Sequence, residues 1–370
     1  MRRGNGEGSV YQEKDGRWCA VVSLPTGGRK KFHADSYQEA SDKLLGARRH
    51  IADGVPIPDQ RQTIGDFLTT WLEETARVTV RPATYQSYAT IVRLHLIPEL
   101  GRVKLSELTP QQVQRLLNQK TAAGLSPRRV HYIRAVLRRA LGQAVRWGMV
   151  ARNVATLVES PKGRPQRVEP FSPTEARAFL EAIRGERLEA LYATALTTGL
   201  RQGEALGLRW EDVDLAGGTI TVRHSLQRVE GRLQLVAPKT DRSRRTVPLP
   251  KALIPRLLEH KDRQAIERDR AANIWMESGY VFTTDLGHPL DGSSVTHRFQ
   301  KMLPDLGFRR QRFHDLRHAC ASLLLAQGVQ ARVVMEILGH SSITLTMNTY
   351  SHVMPNLQRD ALDRMDEILT

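Results

Sequence analysis

Two segments rich in proline and glycine interrupt this 370-residue chain and limit what it can fold into. Residues 53–60 hold two prolines and one glycine, and residues 160–165 have the same content. Because proline fixes φ and lacks an amide hydrogen, neither segment can continue a helix or a strand ladder. A chain of this length can bury two or three separate cores. We therefore expect three domains, over residues 1–55, 62–160 and 167–370.

The first segment alternates apolar and polar residues in three short runs, at residues 9–12, 18–24 and 29–33. Asp15 and Gly16 separate the first two runs, and residues 25–28 separate the last two, so we predict a three-stranded meander. Ser36 can then cap a helix. The expected fold is a small α+β domain, a sheet with one helix, which suits either a DNA-binding module or a generic peripheral domain.

The middle segment is predicted to be all-helical, and its most informative helix covers residues 127–147. Val130, Ile133 and Leu137 mark an apolar stripe, while arginines occupy the opposite side and a flank. From residue 126 to residue 168 there are ten Lys or Arg but one acidic residue, Glu159, so nearby carboxylates do not neutralise the charge. A solvated basic face is the alternative to DNA contact. The predicted DNA-binding residues are Arg128, Arg134, Arg138, Arg139 and Arg146.

The third segment mixes helical and strand-like patterns and is predicted to be one mixed α/β domain, so the whole chain is expected to be mainly α. Strands are expected in a small antiparallel sheet at residues 219–226, 233–236 and 245–249. Helices are expected at residues 172–183, 188–198, 253–272, 315–327, 331–338 and 342–350.

The charge balance favours a nucleic acid partner. Lys and Arg number 55 against 39 Asp and Glu, which gives a formal charge of +16 and a pI near 10.3. The only cysteines, Cys19 and Cys320, are too far apart to suggest a disulfide framework or a zinc ribbon. The sequence has neither a signal-peptide pattern nor an apolar window that could span a membrane, so we expect a cytoplasmic protein with no membrane partner.

Several motifs of the third segment suit phosphate chemistry. A phosphodiester resists attack because its oxygens are negative, so an enzyme must supply fixed cations. Arg201 follows Thr-Gly-Leu, and Arg317 lies within His-Asp-Leu-Arg-His. We predict that Asp315 is the N-cap of the helix that follows, which would place His314 and Arg317 at its positive end. Gly339 is predicted to end the next helix, just before residue 340.

Together these motifs resemble the tyrosine recombinases, also called phage or lambda-type integrases. That family carries Arg in a T-G-L-R-x-x-E segment, Lys in a hairpin turn, H-x-x-R-H, L-G-H, and a Tyr about ten residues later. The order and spacing of the separate motifs make the resemblance specific, whereas one motif alone would be weak evidence. The positions that match are Arg201, Lys239, His314, Arg317, His340 and Tyr350.

The resemblance implies a catalytic role for each position. Tyr350 would attack the scissile phosphate, giving a 3′-phosphotyrosine and a free 5′ hydroxyl, without ATP, metal or another cofactor. Glu204 matches an acidic position that supports the site, and His318 would pack against the site or brace it. The remaining roles would be phosphate binding for Arg201 and Arg317, protonation of the leaving oxygen for Lys239, acid or base for His314, and a hydrogen bond to the phosphate for His340.

The resemblance also implies partners. These are double-stranded DNA with core-type and arm-type attachment sites, a homotetramer on DNA, an excisionase or other directionality factor, and a host DNA-bending protein at the bacterial nucleoid. Residues 1–55 resemble the arm-binding domain, and residues 62–160 the SAM-like core-binding domain. The implied function is site-specific integration of a phage or mobile element.

Several alternatives stay open from sequence alone. The chain could instead be a chromosome or plasmid resolvase, a type IB topoisomerase-like enzyme, or a non-catalytic DNA-binding regulator. His314 and His318 could be read as a zinc pair with His340 as a third ligand, but Arg317 between the pair would oppose a metal, so no metal site is expected. Lys239 has basic neighbours that could take its role. A final amphipathic stretch, residues 357–368, could dock on a neighbouring subunit or on its own chain.

Overall fold

The structure is a computed structural model, and it describes residues 8–25, 27–52, 54, 57, 61–161, 163, 169–237 and 244–339. Three predicted site residues, Lys239, His340 and Tyr350, lie outside the described residues, as do the predicted helix at residues 342–350 and the amphipathic stretch at residues 357–368. The chain divides into two compact units, Met1–Pro165 and Gln166–Thr370. The division into three domains stays a prediction.

The N-terminal residues form the expected sheet and helix. The three strands pair antiparallel in chain order, with Cys19 opposite both Tyr11 and His33. The Ser36 hydroxyl accepts a hydrogen bond of 3.2 Å from the Glu39 amide and so caps the helix as predicted. The sheet contributes two alanines, one valine and one phenylalanine to a small core, where they pack on two alanines of the helix. The elements are β1 (Ser9–Gln12), β2 (Trp18–Ser23), β3 (Arg29–Ala34) and α1 (Tyr37–Ala52).

The rest of the first unit is helical and has its own apolar core. Thr63 and Thr109 each begin a helix with a reciprocal capping box, in which side chain and backbone satisfy each other's polar groups. Two π-helical turns, Trp71–Ala76 and Val92–Leu96, continue the helices before them. The helices are α2 (Ile64–Thr70), α3 (Arg77–Thr79), α4 (Pro82–Ile91), α5 (Ile97–Leu100), α6 (Pro110–Ala122) and α7 (Pro127–Arg146).

The second unit packs helices around a small sheet. The sheet order is β4-β5-β8, and β6 and β7 form a separate antiparallel hairpin. Its strands are β4 (Val213–Asp214), β5 (Thr219–Val222), β6 (Ser225–Val229), β7 (Arg232–Val236) and β8 (Arg245–Pro248). Its helices are α8 (Pro173–Ala182), α9 (Glu189–Thr198), α10 (Gln202–Leu206), α11 (Leu253–Ala271), α12 (Gly292–Asp305), α13 (Phe313–Ala326) and α14 (Ala331–Leu338).

Several features of this unit differ from the sequence prediction, including the short elements β4 and α10, which were not predicted. The predicted strand at residues 219–226 is two strands, because Arg223 and His224 leave the sheet of β5 before the β6 hairpin begins. Helix α12 was not predicted, although Asp291 caps it by accepting from the amides of Ser293 and Ser294. The mainly helical fold with a mixed catalytic unit is confirmed.

An aromatic core packs α9, which ends just before Arg201, against α13, which carries His314 and Arg317. Tyr192 of α9 lies 5.2 Å from Phe299 and 6.1 Å from Phe313, measured between ring centroids. All three side chains are almost fully buried, so each contributes roughly 1.5–3 kcal/mol of apolar burial. This packing fixes the distance between the end of α9 and the start of α13. None of the helices in the described part of the chain combines the length and apolar character that a bilayer span needs.

Candidate active site

The site is built on the turn that ends α9. Gly199 adopts the left-handed conformation, with φ of 64°, and stops the helix. A Cβ atom at this position would lie 2.4 Å from Leu338 Cδ2 and 3.2 Å from Cys320 Sγ, so the turn also requires the absence of a side chain. The glycine of the Thr-Gly-Leu-Arg motif thus lets α13 and α14 approach the loop that carries Arg201.

Arg201 lies just after this turn and caps α10. Its Nη1 atom is 2.7 Å from Glu204 Oε1, and its Nη2 donates a hydrogen bond of 3.0 Å to the carbonyl oxygen of Gly339. The side chain is still 39% exposed. One side of the guanidinium is therefore anchored by protein while the other faces solvent, which is the arrangement a phosphate-binding arginine needs.

Glu204 is the buried acidic partner of this arginine. Burial alone opposes ionisation of the carboxyl, but the charge and hydrogen bond of Arg245, followed by those of Arg201, hold the pKa of Glu204 below its usual value. The carboxylate therefore stays ionised at neutral pH. It accepts from the Arg201 backbone amide as well, at 3.0 Å, so it fixes both the side chain and the start of α10.

The prediction that Asp315 is the N-cap of α13 was wrong. The helix begins at Phe313, and the N-cap is Arg312. Asp315 lies in the first turn and accepts a hydrogen bond of 2.7 Å from the Arg312 amide, so the acidic residue closes the cap from inside the helix. His314 therefore lies in the first turn as expected, whereas Arg317 lies one turn further along.

Arg317 joins the two arginine motifs. It is buried, with 2% relative exposure, and its Nη1 donates a hydrogen bond of 2.6 Å to the carbonyl oxygen of Gly199. That carbonyl lies two residues before Arg201, although Arg317 is 118 residues from Gly199 in the chain. The fold thus brings the two predicted phosphate-binding arginines to one loop.

His314 and His318 lie one above the other on α13. Their ring centroids are 5.0 Å apart and the planes are nearly perpendicular, at 89°. One edge of the His314 ring is open to solvent, yet burial of the rest, together with the nearby His318 and Arg317, lowers the pKa of His314 to about 4. Burial also lowers the pKa of His318. Both rings are therefore neutral at pH 7, and each can donate one hydrogen bond and accept another.

Two further observations concern Cys320 and the histidine pair. Burial raises the pKa of the Cys320 thiol to about 12, so this cysteine is not a thiolate nucleophile at neutral pH. Within the described ranges, His314 and His318 have no third His, Cys, Asp or Glu near enough to share a metal with them. Such a group of three does occur on the N-terminal sheet, where Glu13, Cys19 and His33 lie together.

Arg245 is a site residue that the sequence analysis missed. It was counted there only among the basic neighbours of Lys239 that could take the role of that lysine. In β8 its side chain is 8% exposed and its Nη2 is 3.0 Å from Glu204 Oε2. The sequence carried a signal for this burial, because strand alternation puts Arg245 on the same face as Val247, which lies in the core.

The predicted DNA-binding arginines of α7 do not behave alike. The apolar stripe of this helix is buried as predicted, and Arg128, Arg138, Arg139 and Arg146 are exposed. Arg134 is only partly exposed, and its Nε donates a hydrogen bond of 3.0 Å to the carbonyl oxygen of Ala155. Arg134 thus also braces the helical core.

Comparisons with family models support one class of protein. The model described as the phage integrase family matches residues 169–356, and the model of a phage integrase N-terminal SAM-like domain matches residues 63–121. The fold and these matches define a tyrosine-type site-specific recombinase. The chain belongs to the phage integrase family.

Curated relatives match along nearly the whole chain. A "Tyrosine recombinase XerC-like" protein of Caldanaerobacter subterraneus is 34% identical over 92% of this chain and 92% of its own length. An integrase of Streptomyces ambofaciens is 32% identical over 98% of this chain and 96% of its own length. The ICEBs1 integrase of Bacillus subtilis is 26% identical over 98% and 100%.

Solved structures share the fold at lower identity. The Tn1549 transposon integrase, solved with transposon right end DNA, has a TM-score of 0.71 and 20% identity over 82% of this chain and 99% of its own. A lambda integrase dimer bound to a core site has a TM-score of 0.58 and 17% identity over 95% of this chain and 96% of its own.

Proposed function

We propose that this chain integrates a phage or mobile element into bacterial DNA, cutting and rejoining the strands through Tyr350. The observation that carries the proposal is the meeting of separate motifs at one loop. Arg317 binds the carbonyl oxygen of Gly199, and Arg201 binds that of Gly339, the residue before His340. These two hydrogen bonds directly involve Arg201 and Arg317. His314 lies on the same helix as Arg317, and His340 follows Gly339 in the sequence.

The proposed chemistry is a transesterification. The Tyr350 oxygen attacks the phosphorus as the bond to the 5′ oxygen breaks, so a 3′-phosphotyrosine and a 5′ hydroxyl result. One phosphodiester replaces another, which is why no ATP is consumed. A 5′ hydroxyl of the partner duplex then attacks the phosphotyrosine and releases the tyrosine.

The surrounding residues would stabilise this reaction. Arg201 and Arg317 bind the non-bridging oxygens, because a guanidinium stays charged and can donate two parallel hydrogen bonds. Lys239 protonates the leaving oxygen. His314, neutral at pH 7, can accept the Tyr350 proton or donate a hydrogen bond, and His340 donates to the phosphate. Since tyrosine has an ordinary pKa near 10, the cationic site favours its attacking form.

The wider assembly is proposed on the same basis. Two copies would bind each core site and four would join two duplexes; lambda integrase has been solved as a tetramer on a Holliday junction. The exposed arginines of α7 would contact core-site phosphates, and residues 1–55 would bind arm sites. An excisionase and a host DNA-bending protein would set direction at the nucleoid of the bacterial cytoplasm.

A suicide substrate tests the cleavage step. Mapping the two junctions of the integrated element gives the core-site sequence, and a nick near the scissile phosphate lets the short 5′ fragment diffuse away. Wild-type protein should then accumulate as a covalent DNA complex, and Tyr350→Phe should give none. Tyr280→Phe is the matched control and should react like wild type. If the wild type itself forms no covalent complex, the non-catalytic regulator is the better reading.

A second variant tests the arginine pair. Arg317→Lys keeps the charge but loses the planar fork, so trapping should slow by roughly 10²–10³-fold, as for loss of one transition-state donor elsewhere. Arg310→Lys, an exposed neighbour, is the control. If the two variants are trapped at equal rates, Arg317 does not bind the scissile phosphate.

A further inference from the structure

The second unit contains a carboxylate that holds two arginines at once. Glu204 Oε1 lies 2.7 Å from Arg201 Nη1, and Glu204 Oε2 lies 3.0 Å from Arg245 Nη2. The Glu204 side chain is 4% exposed and that of Arg245 is 8% exposed, whereas that of Arg201 is 39% exposed. The carboxylate thus links one arginine that faces solvent with another that solvent scarcely reaches.

Both arginines continue from Glu204 to the end of α14. Arg245 Nε donates a hydrogen bond of 2.7 Å to the carbonyl oxygen of Ile337, and Arg201 Nη2 donates to that of Gly339 at 3.0 Å. Carbonyls in the last turn of a helix lack intrahelical partners, and cations there interact favourably with the helix dipole. The two guanidinium groups therefore bind the helix end from which the chain leads to residue 340.

Gly339 allows this close approach. It is left-handed, with φ of 64°, and a Cβ atom at this position would lie 2.9 Å from Arg245 Nη1 and 3.2 Å from its Cζ. The guanidinium of Arg245 thus packs directly on the backbone of the Leu-Gly-His motif. A larger residue at position 339 would displace either the arginine or the turn.

We propose that Arg245 is a positioning residue, which fixes the end of α14 through the Ile337 carbonyl and braces Arg201 through Glu204. This inference rests on the proposed function. Arg245 does not itself bind the phosphate, because its guanidinium is engaged by Glu204 and by the Ile337 carbonyl. Arg201, which keeps an open side, binds the phosphate instead. Glu204 thus joins an arginine that fixes geometry to one that binds the substrate.

Arg245→Lys tests this role with the full-length protein and nicked core-site DNA. Lysine keeps the positive charge, but a single ammonium cannot hold Glu204 and the Ile337 carbonyl in the fixed geometry of the guanidinium. We expect single-turnover cleavage to fall at least tenfold, while core-site affinity and Tm match those of the wild type. The backbone amides of residues 337–341 should exchange hydrogen faster. Arg244→Lys, at the exposed neighbouring position, is the matched control.

Each outcome decides the proposal. Cleavage within twofold of the Arg244→Lys control, or unchanged amide exchange, overturns it. A cleavage loss that follows a lower Tm means a purely structural role and also overturns it. Arg245→Gln, which keeps a donor without the charge, provides a second variant. If neither variant folds, the role of Arg245 is purely structural and the proposal is overturned. If the wild-type protein forms no covalent complex, the proposed function itself is wrong. If the wild type is active and Arg245→Lys cleaves at the same rate, only this inference is wrong.

Discussion

Backbone carbonyls anchor the arginines of this site as much as carboxylates do. Arg317 binds the Gly199 carbonyl, Arg201 binds that of Gly339, and Glu204 is the only carboxylate bonded to Arg201 in the described residues. A carbonyl fixes a guanidinium without cancelling its charge. The site therefore keeps a net positive potential, which attracts and stabilises a DNA phosphate.

The lowered pKa of His314 predicts a pH effect on stability. Its pKa is about 4 in the folded chain and near 6.5 in an unfolded chain. As pH falls from about 6.5 towards 4, the unfolded state binds a proton that the folded state does not, so acidification destabilises the fold. His314→Gln should therefore lose less stability than wild type over this window. The measurement is Tm as a function of pH for both proteins. Parallel curves would contradict the lowered pKa of His314.

At the scale of elements, the turn after α9 decides whether the site can form. Gly199 allows both the left-handed backbone and the contact with Leu338, so this one residue controls how α14 meets the loop of Arg201. Helix α9 is also packed on α13 through the contact of Tyr192 with Phe313. The motif glycine therefore acts through tertiary packing, in addition to ending its own helix.

Gly199→Ala should therefore destabilise the second unit. Left-handed strain and overpacking together should cost roughly 2–4 kcal/mol. Gly185→Ala is a matched control, because Gly185 has φ of 80° but no atom within 4 Å of its Cβ position, so it should lose only about 1–2 kcal/mol. Urea unfolding measures both. Equal losses would mean that Leu338 moves away at no cost.

Helix α7 leads to a second prediction at this scale. Arg138 is exposed, so Arg138→Ala should reduce the salt dependence of core-site binding by about 0.9 in the log-log slope and leave Tm unchanged. Arg134→Ala should mainly lower Tm, because it removes the hydrogen bond to the Ala155 carbonyl. Binding titrations at several salt concentrations separate the two effects. If Arg134→Ala reduced the salt-dependence slope as much as Arg138→Ala, Arg134 would be assigned to phosphate contact instead.

For the whole molecule, charge and modular order are the main features. A formal charge of +16 favours association with any DNA, so specificity depends on how the parts engage separate sites. The small sheet and helix at the N-terminus have their own apolar core, and so does the helical segment that follows. Removing the first part should therefore leave the others folded.

Deletion of residues 1–55 should abolish recombination between attachment sites and leave suicide-substrate cleavage of a core site unchanged. The reason is that arm binding would assemble the complex, whereas cleavage chemistry lies in the second unit. Recombination and trapping assays on the same preparation measure the two activities. If the truncated protein recombines as well as the full chain, a resolvase or topoisomerase-like role becomes the better explanation.

The sequence by itself determined the kinds of elements and the chemistry of the motifs. The meander of β1–β3 followed from period-two alternation, the buried face of α7 from period 3.6, and the end of α14 from Gly339, since these depend on local stereochemistry. The assignments of Lys239, His340 and Tyr350 stay predictions from sequence. The misplaced cap at Asp315 shows the limit, because a cap can be closed from either side of the first turn.

The tertiary structure alone decided which distant groups share a bond. Arg317 meets the Gly199 carbonyl, and Arg245 meets both Glu204 and the Ile337 carbonyl, across separations that no periodicity encodes. Such contacts depend on how α9 packs on α13 through Tyr192 and Phe313, and on how α14 packs on α13 through an aliphatic cluster. For that reason the sequence alone could not separate Arg245 from the other basic residues near Lys239, whereas the fold places it against Glu204 and the end of α14.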